Sequence, residues 1–344
     1  MENREIKNES QVMLFGLIQK VLPANLALVD VISDLLGVGS DAAYRRIRGV
    51  KPISLEETIK LCKNFQISMG QLVNIVDDKK NIQCSYSPLH LDNFKDNLTF
   101  LQVMYENIES VRTTAGSEII LSAIDIPLFN ILPYKELTLF KFFSWAKSVY
   151  DYKGNYKTFA KEMERFGVLK GKYEKISEDY QLVPSTEIWT DNTIDIILRL
   201  INYHSEMNHF GDEKFPLLLC EQLLELIDTL QKWAEKGTKG SKEVSFKFYI
   251  SKTDIANTFI LFKKPEKTNC MIRLYTINAL GISDERFCRG TENWLQKSIQ
   301  RATLISDASE KERFKFFNAQ RKKIMFLIEK IQLDINAIIG SAIY

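Results

Sequence analysis

Two short amphipathic segments joined by one tight turn constrain the N-terminal part of this chain more than any other feature. Leu28, Val31, Ile32, Leu35 and Leu36 recur at helical spacing, Gly37 follows at once, and a second short segment runs from Ser40 to Arg48 before Gly49. Apolar residues at such intervals lay one stripe along a helix. A glycine directly behind the stripe takes left-handed backbone without a Cβ penalty, so the chain can reverse within a few residues. Val38 then plugs the space between the two helices.

The flanks extend the pattern. Ser10 to Val21 reads as a first helix that stops before Pro23, with Val12, Phe15, Leu17, Ile18 and Val21 as its stripe. Ser54-Leu-Glu-Glu57 and Ser68-Met-Gly-Gln71 both have capping-box form and predict helices from Leu55 to Asn64 and from Met69 to Val76. Five short helices within residues 1–78 make a compact all-α module. A helix pair of this kind has the form of a helix-turn-helix, whose second helix enters the DNA major groove.

The arrangement resembles the phage-repressor (Cro and lambda-repressor type) helix-turn-helix family of bacterial regulators. Leu35-Leu36-Gly37-Val38, Arg45 to Gly49, Ile53-Ser54-Leu55-Glu56-Glu57, Leu61-Cys62, Ile67-Ser68 and Leu72 carry the resemblance. Ser33 stands where the family usually has alanine, and Arg46 where it has an apolar residue, with Ile47 one place later. The resemblance implies that Ser40, Asp41 and Arg45 face base edges, while Tyr44, Arg46, Arg48 and Lys51 lie toward phosphates. Arginine can take guanine bidentately and aspartate can accept from cytosine N4. The implied partner is double-stranded DNA, and the implied function is sequence-specific transcriptional regulation. Acidic residues offset the basic ones across this module, Asp30, Asp34, Glu56, Glu57, Asp77 and Asp78 among them. They keep an alternative open: a protein-interaction or ligand-sensing module whose helix-turn-helix does not primarily bind DNA.

Residues 79–113 read as a linker followed by a helix in which Leu91, Phe94, Leu98, Leu101, Tyr105 and Ile108 form an a/d seam. Such a seam either pairs two subunits into a homodimer or packs on its own chain. Residues 114–344 read mainly as amphipathic helix, clearest from Leu217 to Lys236 with Gly237 as a stop. Between Val244 and Ile277 the period changes: 244–251 alternates, 258–262 and 271–276 follow, and the three read as an antiparallel meander. The expected fold is mostly α, a five-helix helix-turn-helix domain plus a larger helical body with a small three-stranded antiparallel sheet.

Chemistry-bearing patterns are sparse. A net charge of +2 over 344 residues excludes a general polyanion coat, so any nucleic-acid contact must be local. The five cysteines are scattered without a CxxC pair, which argues against a disulfide framework and a zinc site. His204 and His209 are five apart, the wrong spacing for two ligands on one helical face. Gly237-Thr-Lys-Gly240-Ser-Lys242 lacks phosphate-loop spacing and reads as a basic linker, and no GxSxG elbow is present. Neither an enzyme nor a cofactor or metal is expected. The aromatics Phe129, Tyr134, Phe140, Phe142, Phe143, Trp145, Tyr150, Tyr152 and Tyr156 read as core or as a pocket for a small-molecule or peptide effector. The apolar run from Ile119 to Pro133 is broken by Asp125, Asn130 and two prolines, so no membrane span and a cytoplasmic location are expected.

Overall fold

The computed structural model describes residues 8–23, 26–65, 67, 69, 82, 84–87, 97–165, 172–253, 255–274 and 278–341. Most of the expected helix at 69–76, its capping box, and Leu91 and Phe94 of the seam lie outside the described residues. Contacts divide the chain into two units, 1–83 and 84–344, each considered by itself.

Unit 1 contains α1 (Glu9–Val21), α2 (Leu28–Leu36), α3 (Ser40–Ile47) and α4 (Leu55–Asn64). Leu14, Phe15, Ile18, Ile32, Ala43, Leu61, Cys62 and Ile67 form its core. Val12 and Val21, expected on the α1 stripe, are exposed, because the buried phase of that helix is Gln11, Leu14, Phe15 and Ile18. Gly37 sits at φ 64°, and the Val38 N–H reaches back to the Ser33 carbonyl at 3.0 Å, closing α2 with a Schellman bond. The Ser33 hydroxyl donates to the Val38 carbonyl at 2.5 Å, so Ser33 fastens the turn from the other side.

Unit 2 departs from the expected small sheet. Among the described residues it holds one nine-stranded mixed sheet built from β1 (Cys84–Ser87), β2 (Glu118–Ser122), β3 (Ser185–Thr190), β4 (Thr238–Lys239), β5 (Val244–Ser251), β6 (Phe259–Lys263), β7 (Thr268–Arg273), β8 (Ala279–Ile282) and β9 (Thr303–Leu304). The spatial order is β1-β8-β7-β6-β2-β3-β5-β4, with β9 also on β5. β3 pairs in parallel with β2 and with β5, while β6, β7, β8 and β1 run on as an antiparallel meander beyond β2. The expected hairpin of β6 and β7 is present, with Phe259 opposite Ile272, but the 244–251 strand lies across the sheet from it.

The sheet was hidden for a physical reason. β2 and β3 are buried on both faces, so neither shows the alternation that marks a half-exposed strand. β3 is also polar in sequence, and its buried Glu187 draws on the interior for every bond. Tyr180 Oη donates to one carboxylate oxygen, Trp189 Nε1 donates to the other at 2.7 Å, and Asn130 Nδ2 reaches both at 3.2 and 3.1 Å. Lys239 Nζ lies 3.2 Å from the centre of the Tyr180 ring and donates to Ser185 Oγ at 2.6 Å. Lys239 is thus buried and structural, in strand β4, which corrects at this residue the reading of 237–242 as a basic linker. Burial pushes the Glu187 carboxyl up and the Lys239 ammonium down, each toward its neutral form.

Helices cover both faces of the sheet. One cluster joins Ile119, Leu121, Trp189, Phe246 and Phe248 to α5 (Asn97–Arg112), α7 (Lys135–Tyr150), α11 (Phe215–Lys236) and α13 (Glu310–Ser341). On the opposite face Ile120, Ile188 and Leu261 meet Cys288 and Leu295 of α12 (Glu285–Arg301). The remaining helices are α6 (Leu128–Ile131), α8 (Tyr156–Arg165), α9 (Lys172–Gln181) and α10 (Asp195–Glu206). Most of the aromatic run from Phe129 to Tyr156 is buried in the first cluster, with Tyr134, Tyr150 and Tyr152 packed at its edge. Among the described residues no helix is long and apolar enough to cross a membrane.

Leu101 and Ile108 of the a/d seam are wholly buried in that first cluster, so this stretch packs on its own unit. Leu101→Ala is expected to lower the unfolding free energy by about 2–5 kcal/mol. Urea unfolding at several protein concentrations checks it: the loss should be the same at each, whereas a seam between subunits would make it concentration-dependent.

Candidate nucleic-acid interface

Helix α3 begins at Ser40 behind the extended N-cap Gly39 and ends in Ile47. At about 100° per residue, positions 40, 41, 44, 45 and 48 fall within an arc of about 140°. Ser40, Asp41, Tyr44, Arg45 and Arg48 are all exposed on that arc, and Ala43 and Arg46 occupy the buried side. Five of the seven residues expected at the interface therefore share one accessible face. Lys51, just past the helix, is exposed as well. The Arg48 guanidinium lies over the Tyr44 ring at 5.7 Å from its centre. Arg45 has no side-chain partner among the described residues.

Arg46 departs from its expected role as a phosphate contact. Its side chain is only 9% exposed and its Nη2 meets Glu57 Oε1 at 2.9 Å. Nε reaches Glu57 Oε2 at 3.3 Å, and Nη1 donates to the Ala42 carbonyl at 3.3 Å. The side chain is buried together with its guanidinium, whose charge is met by Glu57. Glu57 is also the closing residue of the α4 capping box: Ser54 N–H donates to Oε2 at 3.0 Å, and Glu57 N–H donates to Ser54 Oγ at 3.1 Å. Although burial pushes the Glu57 carboxyl up, Arg46 and the Ser54 N–H hold it below its usual value.

A residue that sequence reasoning missed holds α3 in place. Gln11 of α1 is buried, and its Nε2 donates to the carbonyls of Arg46 at 2.6 Å and Lys51 at 2.7 Å. Its Oε1 accepts from the Ile53 N–H at 3.0 Å. One amide thus fixes the end of α3 and the segment that leads into α4. Gly49 stands beside this clamp at φ 74°, where a Cβ would come within 2.9 Å of Val12 Cγ2. A polar residue inside an apolar stripe was the available signal.

Unit 2 holds a second cluster that the sequence separated. Helix α10 ends at Glu206, so His209 folds back instead of continuing the helix, and the Nδ1 atoms of His204 and His209 lie 2.9 Å apart. His204 Nε2 is 3.3 Å from Ser144 Oγ. The helical-spacing argument for keeping these rings apart therefore fails, although no group of three or more metal-ligating side chains occurs among the described residues. Burial, with His209 and Lys147 nearby, holds the His204 pKa down at about 4; burial and Lys147 lower that of His209. The basic stretch at 313–323 is largely spent within unit 2. Arg321 pairs with Asp228 at 2.6 Å, Lys323 with Asp195 at 2.7 Å and Lys315 with Glu312 at 2.9 Å.

Compared with known proteins, the chain matches no family model, no curated protein and no solved structure.

Replacing Gln11 by leucine leaves two carbonyls and one N–H without their partner. Equilibrium unfolding should show a loss of about 2 kcal/mol or more, confined to the transition of unit 1. The unfolded chain protonates His204 at its ordinary value, the folded chain only near 4, so acid favours unfolding between those limits. The unfolding free energy should fall as pH drops from about 6.5 toward 5, by up to about 1.4 kcal/mol per unit. The slope should be shallower in His204→Asn than in the parent.

Proposed function

We propose that this protein is a sequence-specific DNA-binding transcriptional regulator that reads duplex DNA with the exposed face of α3. The observation that carries the reading is the accessible arc of Ser40, Asp41, Tyr44, Arg45 and Arg48 on a short helix. That helix is set by a left-handed glycine turn and clamped from α1. Such a helix offers a guanidinium and a carboxylate to base edges in the major groove, while flanking cations meet phosphates and fix the register. Arg45 is the base-reading arginine and Asp41 its acidic companion. Tyr44, Arg48 and Lys51 lie toward the backbone. Arg46 supports the helix from behind. The reading takes the chain as a homodimer on two half-sites, paired through surfaces other than Leu101 and Ile108.

Selection of duplexes from a random pool by the intact protein tests the proposal. An enriched sequence motif is expected, bound with an affinity that falls steeply as salt rises. Recovery of the pool without enrichment would overturn it, and salt-insensitive capture of a protein would favour the interaction-module alternative. Arg45→Ala should weaken the enriched duplex by about 1–3 kcal/mol, roughly 5- to 150-fold, with little change on unenriched DNA. Arg46→Ala should instead lower the stability of unit 1, because it leaves Glu57 without its cation.

A further inference from the structure

We propose that unit 2 carries a binding site for a small monocarboxylate, held by Lys141 and Arg273 in the recess beyond the carboxyl end of β2. The inference is independent of the DNA reading. It starts from topology. β2 sends its connection to β3 on one side, while β6 pairs with it on the other in the opposite direction. Open α/β sheets bind ligands outside the carboxyl ends of their parallel strands, and β2 is the parallel strand that borders the antiparallel meander. The chain leaving β2 delivers Asp125 to that place, and Thr258 Oγ1 accepts from the Ile124 N–H at 3.3 Å to fasten the exit.

The charges there do not cancel. Lys141 Nζ lies 2.5 Å from Asp125 Oδ2, and Arg273 Nη1 donates to the same oxygen at 2.9 Å. The other oxygen of Asp125 accepts from the Ile126 N–H at 2.9 Å. Two cationic side chains therefore share one carboxylate. Arg273 has four further N–H donors, on Nε, Nη1 and Nη2, and none meets an acceptor among the described residues. Asp125 and Lys141 are 1% and 8% exposed, and Arg273 is 21% exposed at the mouth. The opposing wall is apolar, with Leu128, Ile260 and Met271.

An excess positive charge beside apolar surface is expensive unless an anion meets it. A planar carboxylate matches the fork of a guanidinium with two parallel bonds, which a spherical halide cannot do. The cavity measures about 60 Å³. A cavity needs roughly 10–15 Å³ to hold a single water, so this one admits only a short ligand. The ligand class is thus a short aliphatic acid: its carboxylate on Arg273 and Lys141, its tail against Ile260 and Met271.

Titration calorimetry of the full chain with sodium butyrate tests the proposal, with butyramide and inorganic phosphate as the other arms. Saturable binding of one butyrate per chain is expected, with butyramide failing to bind and phosphate binding at least tenfold more weakly. Arg273→Met should weaken butyrate at least tenfold; Lys141 still pairs with Asp125 in that variant, and its melting curve reports whether it folds. Ala279→Leu narrows the same recess without touching a charge and should also weaken butyrate at least tenfold. Absence of butyrate binding up to about 10 mM, a range in which only very weak complexes escape detection, would overturn the proposal. So would equal binding of butyramide, tighter binding of phosphate, or parent-like affinity in a folded Arg273→Met or Ala279→Leu protein. None of these outcomes bears on duplex selection by α3, so the two readings fail separately.

Discussion

The buried carboxylate of Glu187 is the constraint around which unit 2 is arranged. It sits at the middle of β3, opposite Leu121 on one neighbour and Phe248 on the other, and both parallel pairings of the sheet run through this strand. Its bonds come from three places: Asn130 in α6, Tyr180 in α9, and Trp189 two residues along the strand itself. A one-residue slip of β3 would carry Glu187, and Trp189 with it, to the other face and leave Asn130 and Tyr180 without their acceptor. Leaving a buried polar group without its hydrogen-bond partner costs about 1–3 kcal/mol, a sizeable part of the roughly 5–15 kcal/mol that holds a domain together. The register of the sheet is therefore specified by a polar residue inside an apolar layer.

Unit 1 applies the same principle on a smaller scale. Gln11 is a polar side chain on the buried stripe of α1, and the backbone groups it satisfies belong to segments about 35–42 positions away. Hydrophobic contacts among Leu14, Phe15, Ile18, Ile32 and Ala43 hold the helices together but are indifferent to small rotations. Directional bonds from one amide remove that freedom and decide which residues α3 shows to solvent.

What was legible in the sequence follows from this division. Local signals read through to the residue: the capping box gave α4 from Leu55 to Asn64, and the stripe ending in Gly37 gave the turn between α2 and α3. Long-range polar chemistry did not. Ser185-Thr-Glu-Ile-Trp-Thr190 has no apolar alternation, because its buried polar groups are satisfied by partners far off in the chain. His204 and His209 meet only because α10 stops between them, which no helical-spacing rule could anticipate. Arg46 was misassigned to the solvent face since its acceptor, Glu57, lies on another helix.

Glu57 serves two masters with a single carboxylate. One of its oxygens is shared between Ser54 N–H and Arg46 Nε, and the other is given to Arg46 Nη2. Neither residue can drift alone through mutation: losing the acid frays one helix and strands a guanidinium, and losing the base leaves an anion half-enclosed. Descendants of this chain that abandon the linkage should change both positions together, trading the ionic couple for an apolar one, and they would then need a new acceptor at the start of α4.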